Sequence, residues 1–271
     1  MPTRPERSHV CWAFRRRHEF AERAGEFLAE GLAAGERVLY VASGDPGALA
    51  AHLGTPTFDE HVRRGALQLS PVDSAYPAGT VVDPAAQVGR YATATEAALA
   101  AGYTGLRVAA EVTSLARTPA QLDAFARYEH LADHYMAAHP MTAMCGYDVG
   151  ELGEQAVAEL ACLHSRASEG VTSFHLHGHA RGGCAAALDG ELDMRVRQVF
   201  PRALERADLQ PAGGTIVLDA GGLTFVDHRS LLDLADYAES RAATVVLRTR
   251  LSTAARLVEL LDLARVRVEH A

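Results

Sequence analysis

Lysine is absent from the sequence, in which all 26 basic residues are arginines. A chain without lysine cannot supply the phosphate-binding lysine of a P-loop, nor a lysine amine for Schiff-base or general-base catalysis. We therefore expect neither appreciable ATP binding nor ATP hydrolysis.

A basic surplus and long apolar runs are also missing. The formal net charge of −8 argues against a nucleic-acid-binding domain, which normally carries an excess of arginine and lysine on one face. No uncharged apolar run approaches the roughly 18 residues that a membrane helix needs. The five-residue run VCWAF near the start is too short for a secretory signal. We expect a cytoplasmic protein with no nucleic-acid or membrane partner.

Cysteines are few and widely spaced. The chain has four, and with no export signal they are expected to be reduced thiols rather than parts of a disulfide framework. They are Cys11, Cys145, Cys162 and Cys184.

Apolar material is plentiful, and its pattern predicts an α/β fold. Hydrophobic residues make up 48% of the 271 residues, enough for the cores of two domains. Short buried strands alternate with longer amphipathic helices in the first part of the chain, which is typical of a doubly wound, largely parallel sheet covered on both faces. The strand-like runs cover residues 9–14, 37–43, 66–72, 105–112 and 141–148.

The pattern changes after the small polar stretch 165–173, which has the composition of a linker. Two strand-like runs follow each other directly, FHLHGH and GCAAALDG, before helices and strands alternate again. This order predicts a smaller mixed sheet with helices. We therefore predict two domains, covering residues 1–166 and 173–271.

The first domain contains, in this order, HVCWAF (9–14), FLAEGLAAGERVLYV (27–41), GYTGLRVAAEV (102–112), YE (128–129) and CGYD (145–148), followed by His164. In these segments it resembles the MEDS domain of bacterial sensory proteins. The resemblance implies a sheet like that of P-loop ATPases, here without the P-loop, and a role in sensing small organic molecules for a fused output domain. The turn GDPGAL after the strand RVLYVAS also lacks the phosphate-binding pattern.

The second domain contains the segments LDGELDM (188–194), IVLDAGGLTFVDHRSLLDL (216–234) and RLVELLDL (256–263). In these segments it resembles the STAS domain of anti-sigma factor antagonists. The resemblance implies an anti-sigma factor or a related serine kinase as partner. The expected function is then signalling, in which a ligand-sensing domain controls a STAS domain that acts by protein–protein binding. A homodimer is left open.

The phosphorylation switch of that family is altered in this chain. Phe225, Val226 and Asp227 match the family motif. His228 and Arg229 stand where the family has its two hydroxyl residues, and Ser230 stands where it has glycine. Arginine cannot accept a phosphoryl group, so we expect the partner surface to be presented without phosphorylation. Asp227 is expected to cap the following helix, and Ser230 is left open as a displaced phosphoacceptor.

Ligands of open α/β sheets usually bind at the carboxyl ends of the strands. Arg107 and Glu111 share one face of a buried strand, and they are interpreted either as a structural ion pair, with Glu129 as a further partner, or as ligand contacts. The candidate ligand-binding residues are His9, Cys11, Arg107, Glu111, Tyr128, Glu129, Cys145, Tyr147, Asp148 and His164.

A second set of residues raises the question of a metal or haem site: His9 and Cys11, Cys162 and His164, and Cys145. Residues two apart point the same way on a strand. On the helix predicted over residues 154–164 they diverge by about 200°. The sequence therefore predicts no single site made by all five and no cofactor. A haem- or metal-binding sensor is the alternative, followed by an enzyme with Cys145 or Cys11 as nucleophile.

The run HLHGH places His175, His177 and His179 at alternate positions of a strand. With no carboxylate beside them in the sequence, they are expected to lie on an exposed face.

Overall fold

The strands of the first sheet are short apolar runs, because parallel strands are buried on both faces of their sheet. The computed structural model describes residues 8–53, 56–76, 81–178 and 182–270. Six parallel strands lie in the order β3-β2-β4-β5-β1-β6. They are β1 (His9–Phe14), β2 (Arg37–Ala42), β3 (Leu67–Pro71), β4 (Leu106–Glu111), β5 (Met141–Asp148) and β6 (Arg166–Ala167). The predicted doubly wound, largely parallel sheet is confirmed.

Helices cover both faces of this sheet. They are α1 (Arg17–Ala33), α2 (Pro46–Leu53), α3 (Pro56–Arg63), α4 (Val72–Ala75), α5 (Pro84–Ala100), α6 (Pro119–Ala138), α7 (Val149–Leu152) and α8 (Glu154–Ala161). Helix α1 packs on one face, and α5, α6 and α8 pack on the other. Helix α6 begins where Thr118 and Gln121 cap each other's backbone and Pro119 takes the first helical position, a strong start signal.

The second sheet is mixed, as predicted. Five parallel strands lie in the order β10-β8-β9-β11-β12, and β7 pairs antiparallel with β8. Its strands are β7 (Phe174–His177), β8 (Ala186–Leu192), β9 (Thr215–Asp219), β10 (Leu223–Val226), β11 (Thr244–Thr249) and β12 (Val266–His270). Its helices are α9 (Val199–Ala207), α10 (His228–Ser240) and α11 (Ser252–Leu260).

The two sheets are joined by packed elements rather than by a free linker. Residues 166 and 167 pair with Val10 and Cys11 of β1, so the polar stretch begins as an edge strand of the first sheet. Helix α9 of the second unit packs on α6 and α8 of the first, and β7 also contacts α6. Within the described ranges, no helix is both long and apolar enough to cross a membrane.

Candidate functional site

The first sheet divides the predicted ligand residues between its two faces, because side chains alternate along each strand. Arg107 and Glu111 lie on the face covered by α1, and Asp148 ends β5 and caps α7 by accepting hydrogen bonds from the N–H groups of Gly150 and Glu151. The others lie on the face covered by α6: His9, Cys11, Tyr128, Glu129, Cys145, Tyr147 and His164.

On the α6 face, six polar side chains form what we call the buried cluster. Its members have exposed fractions between 0% and 4%. They are His9, Glu129, Asp133, Cys145, Tyr147 and His164. The start of β1, one turn of α6, alternate positions of β5 and the residues after α8 each contribute to it.

Glu129 lies at the centre of the buried cluster. Its Oε2 atom is 3.1 Å from His9 Nε2, 3.7 Å from His164 Nε2 and 3.6 Å from Cys145 Sγ. Its other oxygen accepts a short hydrogen bond from the Tyr147 hydroxyl. One carboxylate therefore faces two imidazoles, a thiol and a phenol.

The other ring nitrogens of the two histidines also face oxygen atoms. His9 Nδ1 is 3.3 Å from Asp133 Oδ1, and His164 Nδ1 donates to the Leu160 carbonyl at 3.0 Å. The two rings lie 3.9 Å apart between centroids. Among the described residues, His164 Nε2 has no hydrogen-bond partner.

Burial and neighbouring charges set the protonation of the buried cluster. Burial by itself disfavours charge on His9, but the Asp133 and Glu129 carboxylates raise its pKa to about 9. Burial lowers the pKa of His164 to about 4, with the charge of His9 acting in the same direction. Burial and the Glu129 carboxylate raise the pKa of Cys145 well above its usual value. A buried thiol of raised pKa is a poor nucleophile, which weakens the case for cysteine catalysis.

The α1 face holds a cavity of about 910 Å³. It opens at the carboxyl ends of β1, β2 and β4, where those strands end at Phe14, Ala42 and Glu111. Its apolar wall consists of Phe14, Phe20, Tyr40, Leu53 and Phe58. Glu111 is a buried carboxylate in that wall, whereas the polar residues Arg17, His18, Glu22 and Glu26 are exposed at the rim.

Residues 8–165 match the MEDS family, described as the MEthanogen/methylotroph, DcmR Sensory domain. The chain belongs to the MEDS family. No curated protein matches the chain. The MEDS match covers all ten predicted ligand residues and ends before β6, which supports a sensory role in signalling for this part of the protein.

Within the MEDS domain, the expected pairing of Arg107 is wrong. Its guanidinium lies 2.6 Å from Glu36 Oε2 and 3.3 Å from Glu30 Oε2, at the amino end of β4. Glu111 lies at the other end of the strand and accepts a hydrogen bond from the Thr113 N–H at 3.1 Å. Glu129 is on the opposite face of the sheet. Arg107 therefore holds α1 to the sheet and does not line the cavity.

Cys11 and Cys162 lie beside the buried cluster without joining its set of facing donor atoms. Helix α8 ends at Ala161, earlier than predicted, and the Cys162 thiol donates to the Glu159 carbonyl at 3.5 Å. All four cysteines are free. Tyr128 packs against the rings of Tyr76 and Phe125 instead of facing the cavity.

The MEDS domain contacts the second unit directly at the buried cluster. Asp133 Oδ2 accepts a hydrogen bond of 2.6 Å from the Gly178 N–H, and the His164 carbonyl lies 2.8 Å from His175 Nδ1. His177 is 6% exposed and its Nε2 lies 2.8 Å from Asp189 Oδ2. The exposed-face prediction is therefore wrong for His175 and His177, because β7 packs on the MEDS domain. His179 lies outside the described residues.

The predicted partner-binding segment starts α10. Asp227 accepts a hydrogen bond of 2.8 Å from the Ser230 N–H, as a helix cap does. His228 is exposed, whereas Ser230 is 2% exposed, which leaves its hydroxyl poorly placed for a kinase. Arg229 lies 3.0 Å from Asp233, whose carboxylate is almost buried. A glutamate at position 229 would face that carboxylate, so charge reversal there would also disturb the helix.

Proposed function

We propose that the protein is a signalling protein in which the MEDS domain senses a small organic ligand and controls a STAS-like second unit. That unit would bind an anti-sigma factor or a related serine kinase. The observation that carries the proposal is the junction between the units. Asp133 and His164 belong to the buried cluster and also contact β7, so a change in the MEDS domain reaches the second sheet without a flexible linker.

The cavity on the α1 face indicates which class of ligand would be sensed. Its volume of about 910 Å³ lies within the usual range of small-molecule pockets, roughly 300 to 1,000 Å³. Aromatic walls favour an apolar or aromatic body. The buried Glu111 carboxylate, which accepts a hydrogen bond from Thr113, has acceptor capacity left for a donor on the ligand. A small apolar amine or alcohol matches this surface best.

We expect benzylamine or benzyl alcohol to raise the melting temperature of the protein, and phenylacetate to have no such effect because its carboxylate would face Glu111. The substitution Glu111→Gln should weaken amine binding about tenfold or more, since hydrogen bonds to charged groups contribute about 1.5 to 3 kcal/mol. Thermal melts and calorimetry check both expectations. The matched control is Glu26→Gln at the rim, where the side chain is 68% exposed. Equal loss in both variants, or equal stabilisation by phenylacetate, would contradict the proposed site.

The partner surface is proposed at the carboxyl ends of β8 and β10, which pair at Leu192 and Val226. Two large apolar side chains are exposed beside this edge, Phe225 at 47% and Met194 at 69%. Exposed apolar groups next to charged ones are typical of protein–protein interfaces. The resemblance of residues 173–271 to STAS domains supports an anti-sigma-type partner. Arg229 at the usual acceptor position and the burial of Ser230 support binding without phosphorylation.

Phe225→Ala is expected to weaken binding to an anti-sigma-type serine kinase about tenfold or more while leaving stability unchanged, because the ring is half exposed and sits at the proposed interface. Biolayer interferometry against purified kinases of the source organism, with and without ATP, is the measurement. Leu260→Ala is the matched control, since that side chain is 79% exposed on α11. ATP-dependent loss of binding with phosphate on Ser230, or an equal effect of both substitutions, would rule out the proposal.

A further inference from the structure

We infer that the buried cluster is a binding site for one divalent transition metal ion. The ligand atoms are His9 Nε2, Glu129 Oε2, Cys145 Sγ and His164 Nε2, all within 4.8 Å of one another. Around a tetrahedral zinc ion with bonds of roughly 2.0 to 2.3 Å, neighbouring ligand atoms lie roughly 3.3 to 3.8 Å apart. Glu129 Oε2 lies 3.1 Å from His9 Nε2, 3.6 Å from Cys145 Sγ and 3.7 Å from His164 Nε2, and Cys145 Sγ lies 3.6 Å from His9 Nε2. Three of these four distances fall within the range that the ion requires.

The tautomer of His164 supplies an independent reason for a cation. Its Nδ1 faces the Leu160 carbonyl, which can only accept, so the ring proton belongs on that nitrogen. In the neutral ring, Nε2 then presents a lone pair towards Glu129 Oε2 at 3.7 Å. Within the described part of the chain this nitrogen has no hydrogen-bond partner, and a buried acceptor without a donor is unfavourable. A metal ion at the centre of the cluster would bind that lone pair.

Groups outside the ligand set contact the ligand side chains in the way that is common around protein metal sites. Imidazole ligands of zinc commonly donate their second N–H to a carboxylate or a backbone carbonyl. Here Asp133 faces His9 Nδ1, the Leu160 carbonyl faces His164 Nδ1, and the Tyr147 hydroxyl donates to Glu129. Hydrogen bonds from outside therefore orient His164 and Glu129, and Asp133 places a carboxylate oxygen 3.3 Å from His9 Nδ1.

The donor set selects the class of metal. Two imidazoles, a thiolate and a carboxylate suit zinc or cobalt, whereas calcium and magnesium take oxygen ligands. On binding, Cys145 gives up its thiol proton and His9 gives up the proton on Nε2, so the two charges of the ion replace two protons. Four protein ligands leave no open position, as in structural and regulatory zinc sites.

The site stands independently of the proposed function, since it requires neither the cavity ligand nor a partner protein. Its position gives it a regulatory consequence all the same. Asp133 contacts a metal ligand on one side and the backbone of Gly178 on the other. Metal occupancy would therefore be transmitted to β7.

The test uses the full chain, refolded in cobalt or zinc after treatment with a chelator. We expect about one metal ion per chain, a thiolate-to-cobalt charge-transfer band, the intense visible bands of four-coordinate cobalt, and displacement of cobalt by zinc. Cys145→Ser should abolish the charge-transfer band, and His164→Gln should weaken metal affinity about tenfold or more. Cys162→Ser and Cys11→Ser are the matched controls, because both thiols are buried near the cluster and lie outside the ligand set.

X-ray absorption of the zinc-loaded wild type keeps the test decisive if a variant fails to fold. One sulfur and three nitrogen or oxygen neighbours would support the site. Two sulfur neighbours, a charge-transfer band that persists in Cys145→Ser, or a folded wild-type protein that takes up neither metal would overturn it.

Discussion

Arg206→Ala is expected to destabilise the protein by about 3 kcal/mol, at the lower end of the range for breaking a buried ion pair. Arg206 of α9 lies 2.8 Å from Glu159 of α8, and their side chains are 7% and 2% exposed. Its Nε also donates to Asp123 of α6 at 3.2 Å. Without Arg206, the Glu159 carboxylate would stay buried between the two units but would keep Arg202 and Gln155 as partners, which is why we expect the lower end of the range.

Arg202 provides the matched control for this prediction. It contacts the same carboxylate at 2.6 Å, but its own side chain is 53% exposed. Because Arg202 itself is half exposed and Glu159 keeps Arg206 and Gln155 as partners, Arg202→Ala should cost clearly less than Arg206→Ala. Urea unfolding can be followed by far-UV circular dichroism and by the fluorescence of Trp12, the single tryptophan, which reports on the MEDS domain. If the two alanine variants lowered the free energy of unfolding equally, the buried Arg206 would stabilise the junction no more than the half-exposed Arg202 does.

The alternation of strands and helices was predictable because it depends on local periodicity. Both sheets follow from it, and so does the sharing of one strand face by Arg107 and Glu111. The expected pairing of Arg107 with Glu111 was wrong, and the spacing of the two residues along one strand already excludes it. A strand rises about 3.3 Å per residue, which puts residues four positions apart about 13 Å from each other. Such a pair could meet on a helix but not along a strand.

The buried cluster was only partly predictable. Family-like motifs pointed to five of its six members, His9, Glu129, Cys145, Tyr147 and His164, whereas Asp133 was not among the candidates. A polar residue in a helix is exposed by default, and Asp133 is buried because β7 packs across α6. Its spacing of four residues from Glu129, which puts both on one face of α6, is the signal that could have identified it.

The histidines of β7 were predicted to be exposed, and this prediction was wrong for His175 and His177 for the same reason. Its histidines have no carboxylate nearby in the sequence, yet His177 pairs with Asp189 of β8 and His175 faces a carbonyl of the MEDS domain. Contacts between separate units depend on how the chain folds back. Residue periodicity carries no information about them.

Glu129→Leu is expected to have the largest effect of any single substitution in the buried cluster, destabilising the metal-free protein by about 3 to 5 kcal/mol. The carboxylate is 0% exposed and meets His9, Cys145, Tyr147 and His164. Leucine would leave the Tyr147 hydroxyl without its acceptor and would remove one of the two carboxylates that hold the charge of His9.

Glu111→Leu is the control for this substitution, because Glu111 is the corresponding buried glutamate on the opposite face of the same sheet. It is 9% exposed and accepts one backbone hydrogen bond, from Thr113. A hydrogen bond to a charged group contributes about 1.5 to 3 kcal/mol, so Glu111→Leu should cost less than Glu129→Leu. Glu129→Gln should fall between them, since an amide oxygen still accepts from Tyr147 while the negative charge is lost. Urea unfolding of the three variants in the presence of a chelator measures the order. If Glu129→Leu were no more costly than Glu111→Leu, the Glu129 carboxylate would not be what holds the buried cluster together, and the four metal-ligand atoms would have to be positioned by the packing of the strands alone.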